Sequence, residues 1–409
     1  MKNFFQVTAP DDVITMGNDF LPVKTETVPL DQAHGRVLAV DFISPENLPG
    51  FTRATMDGYA VRASSTFGAS ESGPAFLTVK GSVTMGDVPD FSVGPGEAAQ
   101  ISTGAMLPGG TDAVVMIEHT QTLDETTIEA YRSVAPGQHV IQADEDITRD
   151  QPALTAGIDI RSQEVGLLAA LGCEAVTVFK KPVVSIISTG DEIVAVGQPL
   201  PLGKIRDVNA YTLAGFVADA GGEPVRLGIV KDDFDRMLNL CRQALSQSDM
   251  VLISGGSSMG TRDLTVQVLA ALPDTEILVH GISISPGKPT ILARAGNQPF
   301  WGLPGQITSA MVAFTAVVRP FVDRLAGRTR PRREAFPLSA RLTRNVSSVQ
   351  GRIDYVRVRL EKKEDGVWAE PILGKSGLIS TMVKADGLVA IGMHVEGMEK
   401  GDPVDVMVL

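Results

Sequence analysis

From Pro182 to about Gly327 short apolar runs alternate with helical patterns, and this alternation limits the possible fold more than any other feature of the chain. Val183–Ile187, Pro224–Val230, Met250–Ile253 and Glu276–Val279 read as strands, each with the length and apolar content of a buried parallel strand. Between them helices are predicted near Asn209–Ala220, Asp232–Gln247 and Asp263–Leu272, with a last one from about Thr308 to Leu325. Such a chain folds as a mainly parallel sheet covered on both faces, with ligands at the carboxyl ends of the strands.

One turn in this region stands out. After Met250–Ile253 the chain breaks into Ser254-Gly255-Gly256-Ser257-Ser258-Met259-Gly260 and then reaches Asp263 and a helical pattern. Strand, glycine-rich loop and helix together can present backbone N–H groups to an anion. The same residues also suit an ordinary tight turn capped by Asp263. An acid at that point fits either a helix cap or a ligand for a metal that accompanies the anion.

The flanks differ in character. Val7–Leu38 reads as a helical opening. Val40 to about Ile141 is rich in Gly, Pro, Thr and Val, with short runs such as Ala75–Lys80 and Thr127–Tyr131, the pattern of a small β domain. Helical patterning returns at Ser162–Gly172, so the β region reads as an insertion into a discontinuous domain. Arg328-Thr-Arg-Pro-Arg-Arg333 reads as a solvated basic linker. Beyond it, Leu338–Leu342, Tyr355–Leu360, Val367–Pro371 and Pro403–Leu409 read as strands only.

Composition removes several function classes. At 44 % apolar and 21 % charged residues over 409 positions, the chain has the make-up of a globular protein of several domains. A net charge of −12 argues against non-specific nucleic-acid or membrane binding. No run approaches the roughly 18 apolar residues of a membrane span, and Asp11 and Asp12 stand where a signal peptide would be apolar. Cys173 and Cys241 have no metal or disulfide spacing and read as buried free thiols in a reducing, cytoplasmic setting. The five histidines are scattered without zinc-ligand spacing.

Several loops fall on the presumed ligand edge. Ser188-Thr189-Gly190-Asp191-Glu192 follows the first strand, Asp232-Asp233 the second, and Ser285-Pro286-Gly287-Lys288-Pro289 and Gly302-Leu303-Pro304-Gly305 come later. Hydroxyls, glycines, one lysine and several acids on one edge fit a phosphorylated substrate held with a divalent cation. The plainer alternative makes Asp232 and Asp263 helix caps and Lys288 a surface lysine. In the β region, Phe51–Val61 with Asp57-Gly58 and Ile101–Glu118 with Thr103-Gly104 are the dense stretches; they also read as a β-hairpin and its neighbour.

Seven motifs occur in family order: Met56-Asp-Gly-Tyr-Ala60, Ser102-Thr-Gly-Ala105, Glu145-Asp-Ile147, Ser188-Thr-Gly-Asp-Glu192, Gly255-Gly256 with Ser258 and Gly260, Pro286-Gly-Lys-Pro289 and Gly302-Leu-Pro-Gly305. On these the chain resembles the molybdopterin molybdenumtransferases, the MoeA and gephyrin E-domain family, over nearly its whole length. The resemblance implies a MogA-like three-layer α/β domain at 181–328 and an inserted β domain at 45–144. It also implies a discontinuous linking α+β domain at 1–44 and 145–180, and a C-terminal β-barrel-like domain at 329–409. The implied reaction inserts molybdate into adenylylated molybdopterin with Mg²⁺, releasing AMP and molybdenum cofactor. The implied assembly is a homodimer whose cleft lies between the α/β domain of one subunit and the inserted β domain of the other, with transfer onward to molybdenum-dependent apo-enzymes.

Carried onto this sequence, the resemblance implies catalytic roles for Asp57, Thr103, Asp146, Glu192, Asp232, Asp263, Lys288 and Arg352, with Asp232 and Asp263 as metal ligands. Ser188, Thr189, Gly190, Gly255, Gly256, Ser258, Gly260, Pro286, Gly287, Pro304 and Ser376 would bind the substrate. Lys288 and Arg352 would offset negative charge that the metal leaves uncompensated. The chain departs from the family pattern at Gly281 and Ser285, where lysines are usual, and at Gln306-Ile307, where Asn-Pro is usual. These departures leave two alternatives open: a tungstate-preferring version of the reaction, and a non-catalytic scaffold on the same fold.

Overall fold

A computed structural model of the chain describes residues 7–255, 259–330 and 337–409; of residues 259–263 only the helical backbone is described. The chain divides into two compact units. The larger comprises Met1–Val40, Ala156–Ser162 and Ala175–Leu409, the smaller Asp41–Thr155 and Gln163–Glu174.

The larger unit is built on a six-stranded sheet in the order Glu223–Val230, Val183–Thr189, Met250–Gly255, Gln298–Pro304, Ile291–Ala295, Thr275–His280. The first four strands are parallel, in line with the expected mainly parallel sheet, although Gln298–Pro304 is not among the predicted strands. Ile291–Ala295 runs antiparallel to both its neighbours, a hairpin insertion the sequence reading did not anticipate. The pleat sorts the strand residues to two faces. Val184, Ile186, Met250, Leu252, Trp301 and Leu303 pack against Ala210, Leu213 and Val217 and against the helices after Ile307. Ile187, Val251, Ile253 and Phe300 pack on Met237, Cys241, Ala244, Val268 and Leu269. This makes a three-layer α/β fold.

Helix boundaries follow local chemistry. Asn209–Asp219 and Phe234–Gln247 lie close to their predicted positions. Met259–Ala271 begins four residues earlier than predicted, so Asp263 lies inside the helix and does not cap it. The predicted helix from Thr308 to Leu325 divides into Ile307–Ala313, a π turn over Phe314–Val318, and Arg319–Leu325. Pro320 lacks an N–H for the helical ladder, and the wider turn just before it accommodates that loss.

The C-terminal strands close into a five-stranded barrel. Ile353–Lys363, Gly366–Pro371, Leu338–Leu342, Pro403–Val408 and Gly387–Ile391 pair in sequence, and the last returns to the first. A short helix, Ile379–Val383, corrects the expectation of strands alone. Ile284–Ser285 pairs in parallel with Ile353–Asp354 and so ties the Pro286 loop to the barrel.

Two other expectations are corrected. Only Pro10–Asp19 and the short 3-10 turn Leu30–Gln32 of the predicted helical opening are helical; Thr25–Pro29, rich in β-branched residues, is a strand paired with Ala175–Phe179. Arg328 is no solvated linker residue: its guanidinium pairs with Asp159 at 2.8 Å and Asp323 at 2.9 Å and is buried. Residues 331–333 of that basic run lie outside the described residues. Both cysteines are thiols outside any disulfide; Cys241 is buried, which pushes its thiol up to about 12, and Cys173 is half-buried, not buried as expected.

The smaller unit holds a second six-stranded sheet, ordered Ala113–Met116, Gly58–Val61, Glu97–Ile101, Ala75–Val83, Thr127–Ala130, Thr120–Thr122. Tyr59, Val61, Leu77, Val115 and Ile128 form the core under one of its faces. Helix Ser162–Ala170 stops at Gly172, whose φ of 68° suits a glycine C-terminal cap.

Candidate functional site

Register aligns the carboxyl ends of the parallel strands. Thr189 stands opposite Val230 and Gly255, and Gly255 opposite Pro304, so the loops that follow all leave from one edge. Ser188 donates its hydroxyl to Asp207 Oδ1 at 2.8 Å, and Asp207 also accepts the Ala210 N–H at 3.1 Å, which anchors helix Asn209–Asp219. Thr189 donates to Asp232 Oδ1 at 3.1 Å. The neighbouring Asp233 accepts the Arg236 N–H at 2.9 Å and caps helix Phe234–Gln247. The helix-cap reading therefore belongs to Asp233, and Asp232 is left facing Thr189.

The electrostatics of this edge are unbalanced. Partial burial pushes the Asp232 carboxyl above its ordinary value, the Thr189 hydrogen bond offsets some of that, and the charges of Asp191 and Glu192 push it further up. Gly255 has no room for a side chain: a Cβ there would lie 2.3 Å from Thr189 Cγ2. Glycine is what lets the Gly255 backbone lie against the methyl group of the threonine whose hydroxyl holds Asp232.

One cavity adjoins this edge, and a second lies between the Pro286 loop and the barrel, both within the larger unit. The first, of about 500 Å³, is lined by Glu192, Lys204, Arg206, Asp207, Asn209, Gly305, Gln306 and Gly377, with Ile193, Leu200, Ile205 and Ile307 as apolar walls. Asn209 donates to the Gly305 carbonyl at 3.0 Å. The other, of about 350 Å³, is lined by Ser285, Pro286, Arg352, Asp354, Arg357, Gly374 and Ser376 among others. Arg352 Nε sits 3.1 Å from Asp354 Oδ1. Burial pushes the Asp354 carboxyl up, but hydrogen bonds from the Ser348 and Ser285 hydroxyls, the Arg352 charge and the Val349 N–H together hold it below its ordinary value. Arg357 is buried and donates to the Thr381 hydroxyl and the Gly374 carbonyl, each at 2.7 Å. Burial lowers its pKa.

The smaller unit carries a separate cluster. Asp57 Oδ1 accepts the Thr103 N–H at 2.6 Å and the Thr103 hydroxyl at 2.9 Å. These two bonds, the N–H first, hold its carboxyl below the ordinary value. Arg53–Ala54 pairs with Val140–Ile141, and Ala54 exchanges backbone bonds with Gly104 and Ala105, so the segments bearing Asp57, Thr103 and Asp146 are neighbours. Asp146 itself is exposed.

The fold thus gathers Ser188, Thr189, Gly190, Glu192, Asp232, Gly255 and Pro304 at one sheet edge, and Pro286, Arg352 and Ser376 around one cavity. Gly287 is buried, and Lys288 is exposed and lines neither cavity. Gly256 and Ser258 lie outside the described residues, and Gly260 and Asp263 fall where the backbone alone is described. Among the described residues no three acidic, histidine or cysteine side chains stand in a ready metal-binding group. Sequence reasoning missed Asp207, Asn209 and Arg357. The first two carried a usable signal in Asp207-Val-Asn209 at a predicted helix start.

The comparisons with known proteins agree over most of the chain. The MoeA N-terminal region (domain I and II) matches residues 8–172, a probable molybdopterin binding domain 185–324, and the MoeA C-terminal region (domain IV) 339–409. The molybdopterin molybdenumtransferase of Haemophilus influenzae is 33 % identical over 387 residues, 94 % of this chain and 94 % of its own. Two solved structures of a molybdopterin biosynthesis MoeA protein from Pyrococcus horikoshii are similar along almost their full length. The first has a TM-score of 0.79 and 39 % identity over 98 % of this chain and 99 % of its own. The second has a TM-score of 0.85 and 29 % identity over 99 % and 100 %.

Proposed function

This chain belongs to the MoeA family, and we propose that it carries out the full molybdenumtransferase reaction with Mg²⁺, inserting molybdate into adenylylated molybdopterin and releasing AMP. Membership places it in molybdenum cofactor biosynthesis as a transferase. The observation that carries the catalytic reading is a separation of charge within one compact unit. Asp191, Glu192 and Asp232 crowd the sheet edge, while Arg352 and Arg357 flank the 350 Å³ cavity. A scaffold gains nothing from like charges held together, whereas a hard divalent cation suits such oxygen donors.

Asp232 would be one carboxylate ligand of Mg²⁺ and, as the family resemblance implies, Asp263 the other; two carboxylates completed by water is a donor set that Mg²⁺ accepts. When bound, Mg²⁺ would neutralise charge on the phosphoanhydride oxygens. Thr189 orients Asp232 through its hydroxyl. Ser188 acts indirectly, by fixing Asp207 at the head of helix Asn209–Asp219. Arg352, held by Asp354, and Arg357 offer cationic N–H donors to a tetrahedral oxyanion, and the Ser376 segment shapes the cavity that would hold it. The reaction needs positioning and charge neutralisation and calls for no protein nucleophile.

Asp57, Thr103 and Asp146 form the smaller unit's contribution, and a homodimer brings that contribution to a partner's α/β domain. The four-domain boundaries stated from the sequence, a cytoplasmic location and onward delivery to apo-enzymes complete the reading. No described helix is long and apolar enough to cross a membrane. The test is incubation with adenylylated molybdopterin, Mg²⁺ and molybdate or tungstate, following AMP. Release with either oxyanion supports catalysis; none with either, despite nucleotide binding, overturns it in favour of a scaffold. Asp263→Ala is expected to abolish turnover with the fold retained, and wild-type turnover in that variant would remove Asp263 from the site.

A further inference from the structure

One short segment of the barrel, Gly374–Leu378, is the wall shared by the two cavities. Gly374 and Ser376 line the smaller, and Gly377 lines the larger beside Gln306. Little packing holds this segment, since Gly374, Lys375, Gly377 and Leu378 are all exposed. Hydrogen bonds hold it instead, from both sides. On the barrel side Arg357 donates to the Gly374 carbonyl at 2.7 Å. On the α/β side the Thr308 N–H donates to the Ser376 carbonyl at 3.1 Å, and the Ser376 hydroxyl donates to the Gln306 carboxamide oxygen. Gly374 permits the close approach, because a Cβ there would lie 2.8 Å from Thr381 Cγ2.

We propose that Gln306 is a positioning residue for the oxyanion substrate, acting through Ser376. The inference rests on the reading of the 350 Å³ cavity as the oxyanion site. Gln306 does not line that cavity; Ser376 does. A serine hydroxyl has one proton, and with that proton given to Gln306 its lone pairs are fixed in direction. The segment then keeps one shape, and the cavity keeps one width. Without the carboxamide, Ser376 turns freely and the exposed segment has only the backbone bond to Thr308 on that side. Gln306 is thus a single side chain on the α/β domain that sets the edge of a cavity otherwise formed largely by the barrel and the Pro286 loop.

The test uses Gln306→Met, which keeps side-chain length and removes the acceptor, with Ser376→Ala and the double variant. Steady-state AMP release is measured against molybdate and against tungstate, and molybdate alone is titrated calorimetrically. The expected result for Gln306→Met is a rise of about tenfold in the molybdate KM and Kd, with kcat and AMP affinity little changed. Ser376→Ala should equal or exceed that loss, and the double variant should add nothing to Ser376→Ala. Unchanged molybdate KM and Kd in Gln306→Met, or full additivity with Ser376→Ala, overturns the inference while the wild-type reaction stands. Absence of both AMP release and molybdate binding in the wild type overturns the parent reading and this inference with it.

Discussion

Asp232 and Asp233 are adjacent acids with the same side chain and different work. Asp233 holds the Arg236 N–H at the head of a helix, and Asp232 meets Thr189 at the sheet edge. Asp232→Asn should therefore lower Mg²⁺-dependent AMP release about a hundredfold or more while leaving helix content intact, as circular dichroism would check. Which of the two capped was not legible, because both precede the helical pattern and only the extended backbone of Asp233, φ −121° and ψ 120°, decides it. Arg357 was hidden in a similar way: Tyr355-Val-Arg-Val-Arg-Leu360 shows two arginines at like parity, yet Arg357 is buried and Arg359 exposed. Asp354 supplies a pH test. Its folded-state value lies below the ordinary one, so its contribution to stability is complete above the ordinary value and is lost as pH falls through the folded value. Asp354→Ala should cost about 2 kcal/mol at neutral pH. In thermal melts its difference from wild type should shrink on acidification through that window.

Elements show where pattern suffices and where it does not. Three of the four parallel strands and the helices between them were legible from apolar runs and period, most clearly Val183–Thr189 and Met250–Gly255, whose runs are buried and continuous. The hairpin Ile291–Ala295 and Gln298–Pro304 was not, since the long apolar stretches around Gly296-Asn297 carry no period of their own. Thr25–Pro29 was lost inside a presumed helix because its partner, Ala175–Phe179, is far away in sequence. Two predictions sit at this scale. Asp233→Ala should destabilise helix Phe234–Gln247 by about 1 kcal/mol in denaturant melts, with Mg²⁺ dependence of turnover unchanged. Gly255→Ala should displace Thr189 and depress AMP release about tenfold while the protein still melts cooperatively, since the clash is with a side chain, Thr189 Cγ2.

For the whole molecule, the order of segments along the chain conceals which parts fold together. Residues 156–162 belong to the larger unit although the smaller unit's sequence flanks them on both sides. The motifs pointed to Glu192, Asp232 and Gly255, which the fold brings to one sheet edge, because loop chemistry is local. The joining of Ser285 to Asp354 across the barrel register is long-range, and no local pattern announces it. Sedimentation equilibrium should give a mass twice 43.3 kDa, and a monomer at working concentration would contradict the homodimer. The crowded acids and the arginine cavity of one unit are proposed to serve a single transfer reaction. AMP release from adenylylated molybdopterin, measured with Mg²⁺ and molybdate for wild type, Asp232→Asn and Arg352→Ala, tests it most directly. Rapid release is expected from the wild type, loss in Asp232→Asn at any molybdate concentration, and a raised molybdate requirement in Arg352→Ala; equal release by all three proteins would show that these groups do not serve one reaction.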